Sequence, residues 1–104
     1  MENRTYLLKL KIVWFKNFLG LAVEQVILNQ HYSLTPYYFW PKTEAWEQLK
    51  LELDSKLWLT QEEKVRILKV IGEVMNYWLS YHSTKTVKDL LEDLPETEII
   101  LFNN

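Results

Sequence analysis

Four consecutive aromatic residues, separated by one proline from a lysine, are the most chemically distinctive feature of the sequence. They are Tyr37, Tyr38, Phe39 and Trp40, and the lysine is Lys42. Exposed rings beside an ammonium group can stack on unpaired RNA bases while the cation contacts a phosphate. The same rings can instead fill the space between a sheet and helices, because Trp and Tyr dominate small cores. We favour packing over stacking for this cluster, and a division of the rings between the two roles stays open.

Lysines near the N-terminus form the second candidate site. Lys9 and Lys11 lie on the more polar side of an alternating segment, and Lys16 follows it. Because lysine binds phosphate as a point charge, these three residues and Lys42 are candidates for RNA contact. The alternative is that these lysines only solubilise the surface. The net charge of −2 provides no long-range attraction for RNA, so any contact must be local.

The sequence predicts neither catalysis nor metal binding. The two glycines, Gly20 and Gly72, are too far apart to form a phosphate-binding loop, and Gly72 indicates close packing within a helix. His31 and His82 have no neighbour at the spacing of metal ligands, and there is no cysteine. Paired acidic residues stand near predicted helix ends, on faces expected to be solvated. We therefore expect no catalytic residue, cofactor, metal or small-molecule substrate.

Alternation of apolar and polar residues predicts a β-strand at the N-terminus. Residues 6, 8, 10, 12 and 14 are apolar, while Lys9 and Lys11 interrupt the other side. Residues 19–28 fit either a second strand or an amphipathic helix. We favour the strand, and with it an N-terminal hairpin, because β-branched residues follow a predicted turn. Residues 29–41 are predicted to be irregular, with at most a short extended segment at the aromatic cluster.

Two or three helices are predicted in the second half of the chain. Thr43 is suited to cap the first helix. Thr60, with Glu63 three residues later, predicts a capping box for a second helix of about six turns. Thr86 begins a short third helix that ends near Pro95.

Together these elements predict one α+β domain over residues 1–104, in which a small antiparallel sheet packs against two or three helices. The composition, 48% hydrophobic and 14% aromatic, is sufficient for a core. The last apolar run, residues 98–102, either pairs with a sheet edge or docks on a partner. Residues 83–104 are a C-terminal extension whose order the sequence does not decide. The lysines near the N-terminus argue against a signal peptide and a membrane span.

Two long stretches of the chain carry a resemblance to a known family. They read YLLKLKIVWFKNFLGLAVEQV and SLTPYYFWPKTEAWEQLKLELDSKLWLTQEEKVRILKVIGEVMNYW, within residues 5–80. Their most specific part is the block FWPKTEAWEQLK, which leads into the helix after Trp58. Trp46 and Trp58 are further packing or stacking candidates. In this ordered set the chain resembles the plastid-specific ribosomal protein 3 family, which plastids and cyanobacteria share.

The resemblance implies a structural protein of the small ribosomal subunit that takes part in translation without catalysis. Its implied partners are small-subunit ribosomal RNA and neighbouring ribosomal proteins, and no membrane. The alternative is an accessory interaction module or translation regulator that associates reversibly with the ribosome. The resemblance and the excess of Lys over Arg, common where coding DNA is AT-rich, indicate a plastid-encoded protein of the stroma. The cytoplasm of a cyanobacterium is the alternative location.

Overall fold

The structure, a computed structural model of the chain, describes residues 6–94 and 100–102. Its elements are β1 (Tyr6–Trp14), β2 (Leu19–Ile27), β3 (Gln30–Ser33), β4 (Tyr38–Trp40), α1 (Ala45–Asp54), α2 (Gln61–Tyr81), α3 (Val87–Asp93) and β5 (Ile100–Phe102). The predicted α+β class is therefore confirmed. Pro95 and the first two residues of the terminal apolar run lie outside the described residues.

The five strands form one mixed sheet in the order β3-β2-β1-β5, and β4 pairs with the first part of β2. Strands β1 and β2 are antiparallel, with Tyr6 opposite Ile27 at one end and Trp14 opposite Leu19 at the other. This pairing confirms the N-terminal hairpin and resolves residues 19–28 in favour of a strand. Strand β5 joins the other edge of β1 in parallel, so the described part of the terminal apolar run, Ile100–Phe102, pairs with the sheet.

The prediction that residues 29–41 are irregular is wrong for β3, while β4 is the short extended segment that the sequence allowed. Strand β3 returns along β2 after a two-residue turn in which Leu28 and Asn29 have φ of 50° and 68°. Left-handed backbone at both positions suits a tight hairpin. Asparagine tolerates this conformation, but leucine rarely adopts it, so Leu28 gave no turn signal.

The three helices pack against one face of the sheet, and the hydrophobic core lies between these two layers. It is made of side chains that are fully or almost fully buried, among them Leu8, Leu10, Ile12, Leu19, Leu21, Val23, Leu49, Leu53, Ile67, Val70, Ile71 and Val74. The C-terminal extension adds Leu90 of α3 and Ile100 of β5 to the same cluster. In the residues that the structure describes, no helix is both long and apolar enough to cross a bilayer.

The expected cap at Thr43 is wrong. Helix α1 begins after Glu44, which makes no capping bond through its side chain. The Thr43 hydroxyl instead donates to the carbonyl oxygen of Phe39 over 3.0 Å. Thr43 therefore closes the turn that follows β4, and the helix starts two residues later.

The other two predicted caps are present in different degrees. The Thr60 hydroxyl accepts a hydrogen bond from the Glu63 amide at 3.2 Å. In a full capping box the Glu63 carboxylate would accept a hydrogen bond from the Thr60 backbone amide. Here it pairs instead with Arg66, at 3.0 Å. At α3, Thr86 and Asp89 form the reciprocal capping box.

Candidate nucleic-acid interface

The four consecutive aromatic residues divide between the two faces of the sheet. Tyr38 and Trp40 face the helices. The Tyr38 hydroxyl donates to Glu52 of α1 over 2.7 Å, and this bond raises the pKa of Tyr38. The Trp40 ring meets Trp78 of α2 edge-on, with centroids 5.5 Å apart. These two residues therefore attach β4 to the helices, in agreement with packing.

Phe39 lies on the opposite face of the sheet, which the helices do not cover. Its ring rests on Gly20 of β2, where a Cβ atom would lie only 2.8 Å from the ring. Tyr37 stacks beside it, with centroids 6.1 Å apart and an interplanar angle of 20°. Phe39 is 39% exposed. Glycine at position 20 thus provides the flat floor on which this ring lies.

Two further rings extend this group into the turn between β1 and β2. Phe18 meets Phe39 edge-on at 5.5 Å, and Phe15 lies 4.5 Å from Phe18. Phe18 is 36% exposed and Phe15 is 45% exposed. We call Phe15, Phe18, Phe39 and Tyr37 the aromatic row. Sequence reasoning missed the two turn residues, although aromatic residues beside Lys16 in a polar turn were a usable signal.

Helix α2 and its C-cap residue, His82, hold this turn in place through two hydrogen bonds to backbone carbonyls. The Trp78 indole nitrogen donates to the carbonyl of Phe15, and His82 Nδ1 donates to that of Lys16, each over 2.8 Å. The His82 ring also stacks on Trp78 with centroids 4.6 Å apart. The aromatic row is therefore positioned before any ligand arrives, which reduces the cost of ordering it on binding.

A groove of about 530 Å³ opens beside the row, and its wall carries a cation. It is lined by Asn17, Phe18, Phe39, Pro41 and Lys42. Lys42 is exposed, and Lys16 is exposed in the neighbouring turn. Two of the four predicted RNA-contact lysines therefore flank the aromatic row. Rings beside exposed ammonium groups are the arrangement that binds unpaired nucleotides.

The other two predicted lysines lie around a buried carboxylate, Glu24. Lys11 Nζ is 3.3 Å from Glu24 Oε2, and His31 Nδ1 contacts the second oxygen. Lys9 is the register partner of Glu24 across the strands. Lys11 also lies 5.5 Å from the centroid of Tyr37. Glu24 neutralises part of this basic patch, and sequence reasoning did not single it out.

The remaining predicted aromatic residues belong to the helix layer. Trp46 of α1 donates from its indole nitrogen to the carbonyl of Leu68 over 3.1 Å and packs against the core. Trp58 lies between α1 and α2 and is 49% exposed. Within the described part of the chain, no three His, Asp or Glu side chains gather closely enough to hold a metal ion.

Comparison with known proteins gives consistent matches. Residues 34–81 match the family described as plastid and cyanobacterial ribosomal protein (PSRP-3/Ycf65). The chain is 38% identical over 87 residues to the probable small ribosomal subunit protein cS23 of Synechococcus sp. (strain JA-3-3Ab), covering 84% of this chain and 88% of the relative. It is 38% identical over 90 residues to small ribosomal subunit protein cS23 of Gracilaria tenuistipitata var. liui, covering 86% and 91%. It is 44% identical over 70 residues to the protein of that name from Cyanidium caldarium, covering 67% and 69%.

Proposed function

The chain belongs to the plastid and cyanobacterial ribosomal protein family PSRP-3/Ycf65, and we propose from this premise that it is a structural constituent of the small ribosomal subunit. The observation that carries the proposal is the similarity to proteins named cS23 over most of both chains. Membership also confirms the resemblance seen in the sequence. The protein acts in translation in a plastid or a cyanobacterium. We further propose the plastid stroma and a plastid gene, with the cyanobacterial cytoplasm as the alternative.

The proposed partners are small-subunit ribosomal RNA and neighbouring ribosomal proteins. The aromatic row supports RNA contact, because its partly exposed rings adjoin Lys16 and Lys42. Lys9 and Lys11 are weaker candidates, since Glu24 already balances Lys11. This role requires binding and no chemical step, so we propose that the protein is not an enzyme and uses no cofactor.

We also propose that residues 1–104 form a single domain. The C-terminal extension, residues 83–104, contributes side chains to the same core as the rest of the chain. Leu90 is fully buried, and Ile100 pairs with Leu10 of β1. These contacts support treating the extension as a part of the domain.

A reversible accessory factor is the alternative function, and the net charge favours it. Proteins that bind RNA tightly neutralise many phosphates, and a chain with a charge of −2 has few cations to do so. An accessory factor would dissociate from the subunit when salt screens those few contacts. A built-in constituent would be retained through its protein contacts and aromatic stacking.

Density-gradient fractionation of a lysate separates these alternatives. We expect the protein to co-migrate with small subunits in stoichiometric amount and to remain there after a wash at high salt. Release by salt would favour the accessory factor. Recovery only from the light fractions would overturn both functions.

A further inference from the structure

A second groove, of about 360 Å³, lies between α1 and α2 in the helix layer. It is lined by Trp46, Lys50, Asp54, Gln61, Lys64, Val65, Leu68 and Lys69. Among the described residues, this lining contains three lysines and one carboxylate, in a chain whose net charge is negative. Sequence reasoning placed no RNA contact here, because these lysines are separated along the chain and meet only when the two helices pack.

The carboxylate in this lining, Asp54, is shared between two of the lysines. Asp54 Oδ2 is 2.9 Å from Lys50 Nζ, and its Oδ1 is 3.6 Å from Lys64 Nζ. The Lys64 side chain is only 14% exposed, so most of it is buried beside Asp54. Lys69 makes no ion pair with a residue in the described ranges. Glu47 of α1 also acts electrostatically on Lys50, so three lysines stand against two carboxylates and the balance is still positive.

We propose that this groove is a second contact for ribosomal RNA and binds phosphate groups of the RNA backbone. The inference rests on the proposed ribosomal function and adds to it a ligand and a position. Charge identifies the occupant: the groove offers ammonium donors from Lys50, Lys64 and Lys69, and an anion is the complementary partner. The Trp46 nitrogen is already bonded to Leu68, so the indole forms an apolar wall and does not read bases.

The groove and the aromatic row lie on different sides of the domain. The aromatic row lies on the sheet face that the helices leave uncovered, whereas the groove opens in the helix layer. One RNA strand at the row cannot also occupy the groove without passing around the domain. The protein therefore joins two separate segments of RNA, stacking on bases at one and neutralising phosphates at the other.

The test uses the full chain and small-subunit ribosomal RNA that is transcribed in vitro from a cyanobacterial gene. Lys64→Gln/Lys69→Gln removes two charges from the groove. The matched control, Lys56→Gln/Lys88→Gln, removes two charges that do not line the groove, one between α1 and α2 and one in α3. Equilibrium binding is measured by filter retention from 50 to 300 mM KCl, and thermal unfolding shows whether each variant is folded.

We expect the groove variant to bind about tenfold more weakly near 100 mM salt, with a salt slope shallower by about 1.5, as two lost phosphate contacts predict. The control should bind nearly as the wild type does, and Lys64→Arg/Lys69→Arg should restore the affinity, because both charges return.

Equal losses in the groove variant and the control would overturn the proposal, as would the absence of binding by the wild type. Unchanged RNA affinity combined with weaker attachment to whole subunits would assign the groove to an acidic protein segment and would also overturn it. None of these results bears on the gradient co-migration of the wild type, by which the ribosomal function is judged.

Discussion

Trp78, near the end of α2, donates its indole hydrogen to the backbone carbonyl of Phe15, 63 positions earlier in the chain, over 2.8 Å. This bond joins the helix layer to the turn that carries two rings of the aromatic row. Trp78 also contacts Trp40 of β4, so one buried side chain fixes the turn and the strand together. The geometry of the candidate interface therefore depends on a residue that does not reach its surface.

Replacing this residue tests that dependence. Trp78→Phe keeps a ring in the core but leaves the Phe15 carbonyl without its donor. We expect the free energy of unfolding to fall by about 1–3 kcal/mol, because the variant loses a partly buried hydrogen bond and leaves some of the indole's volume unfilled. Urea unfolding measures the loss, and amide hydrogen exchange should become faster between residues 15 and 18. His82→Ala, which removes an exposed bond to the same turn, should cost less; equal costs would contradict the argument.

Adjacent tyrosines should respond to the same change with opposite signs. The Tyr37 hydroxyl is buried and has no hydrogen-bond partner among the residues that the structure describes. Tyr37→Phe removes this unpaired group and should stabilise the protein by about 1 kcal/mol. Tyr38→Phe breaks the bond to Glu52 and should destabilise it by a similar amount. Urea unfolding of both variants checks the prediction, and a shift of the same sign in both would refute it.

The two glycines should also respond in opposite ways to alanine. At Gly72, within α2, a Cβ atom would lie 3.9 Å from Trp46 Nε1, which is an ordinary contact. Gly72→Ala should therefore stabilise the helix by about 0.5–1 kcal/mol. At Gly20 the added atom would meet Phe39 at 2.8 Å and Val13 at 3.3 Å. Gly20→Ala should displace the Phe39 ring, which thermal unfolding and near-ultraviolet circular dichroism would detect together.

Lowering the pH should weaken the contact by which Asp93 attaches α3 to α2. Tyr77 donates a hydrogen bond to this carboxylate, and Lys85 Nζ lies 3.2 Å from it. Both contacts lower the pKa of Asp93 in the folded protein, the Tyr77 bond most. The folded state then binds fewer protons than the unfolded state near the ordinary pKa of about 4. The stabilisation is thus complete above that pH and is lost as the pH falls through the lowered pKa.

Asp93→Asn should accordingly flatten the acid limb of the stability curve, measured by urea unfolding at several pH values between neutrality and strong acid. Burial and the bond to Asp93 raise the pKa of Tyr77, so its contribution is present below the ordinary tyrosine pKa of about 10 and is lost as the pH rises through the raised value. Tyr77→Phe should remove this alkaline loss. An unchanged acid limb in Asp93→Asn would show that the contact is not thermodynamically significant.

Loss of the aromatic row should weaken RNA binding without unfolding the protein. Phe18→Leu/Phe39→Leu keeps apolar bulk but removes the stacking surfaces, and each stacked base contributes about 1–3 kcal/mol. We expect at least a tenfold loss of affinity for small-subunit ribosomal RNA by filter retention. Tyr32→Leu is the control, because Tyr32 is half-exposed on β3 and outside the row. If the control loses as much affinity, the row is not the stacking surface.

Local patterns predicted the elements that local physics decides. The alternation in β1 and the caps at Thr60 and Thr86 depend on residues close together in the sequence, and the structure contains them. The role of Thr43 was predicted wrongly because a threonine hydroxyl can either cap a helix or close a turn. The choice between them depends on the carbonyl of Phe39, whose position is fixed by the pairing of β4 with β2.

The candidate site was harder to predict, because its residues meet through tertiary contacts. The cluster at Tyr37–Trp40 was visible in the sequence, but only the pairing of Phe39 with Gly20 decides which rings face outward. Lys11 looked available until the fold placed it beside Glu24. The lysines between α1 and α2 come together only when the two helices pack.

Helix α2 begins beside the second groove and ends beneath the turn of the aromatic row. Its 21 residues make it about 30 Å long, and its buried side chains attach it along most of that length to the sheet. Such a helix works as a spacer of fixed length. Any two RNA segments held at its ends would be kept at one separation and one orientation, whatever freedom the RNA has by itself.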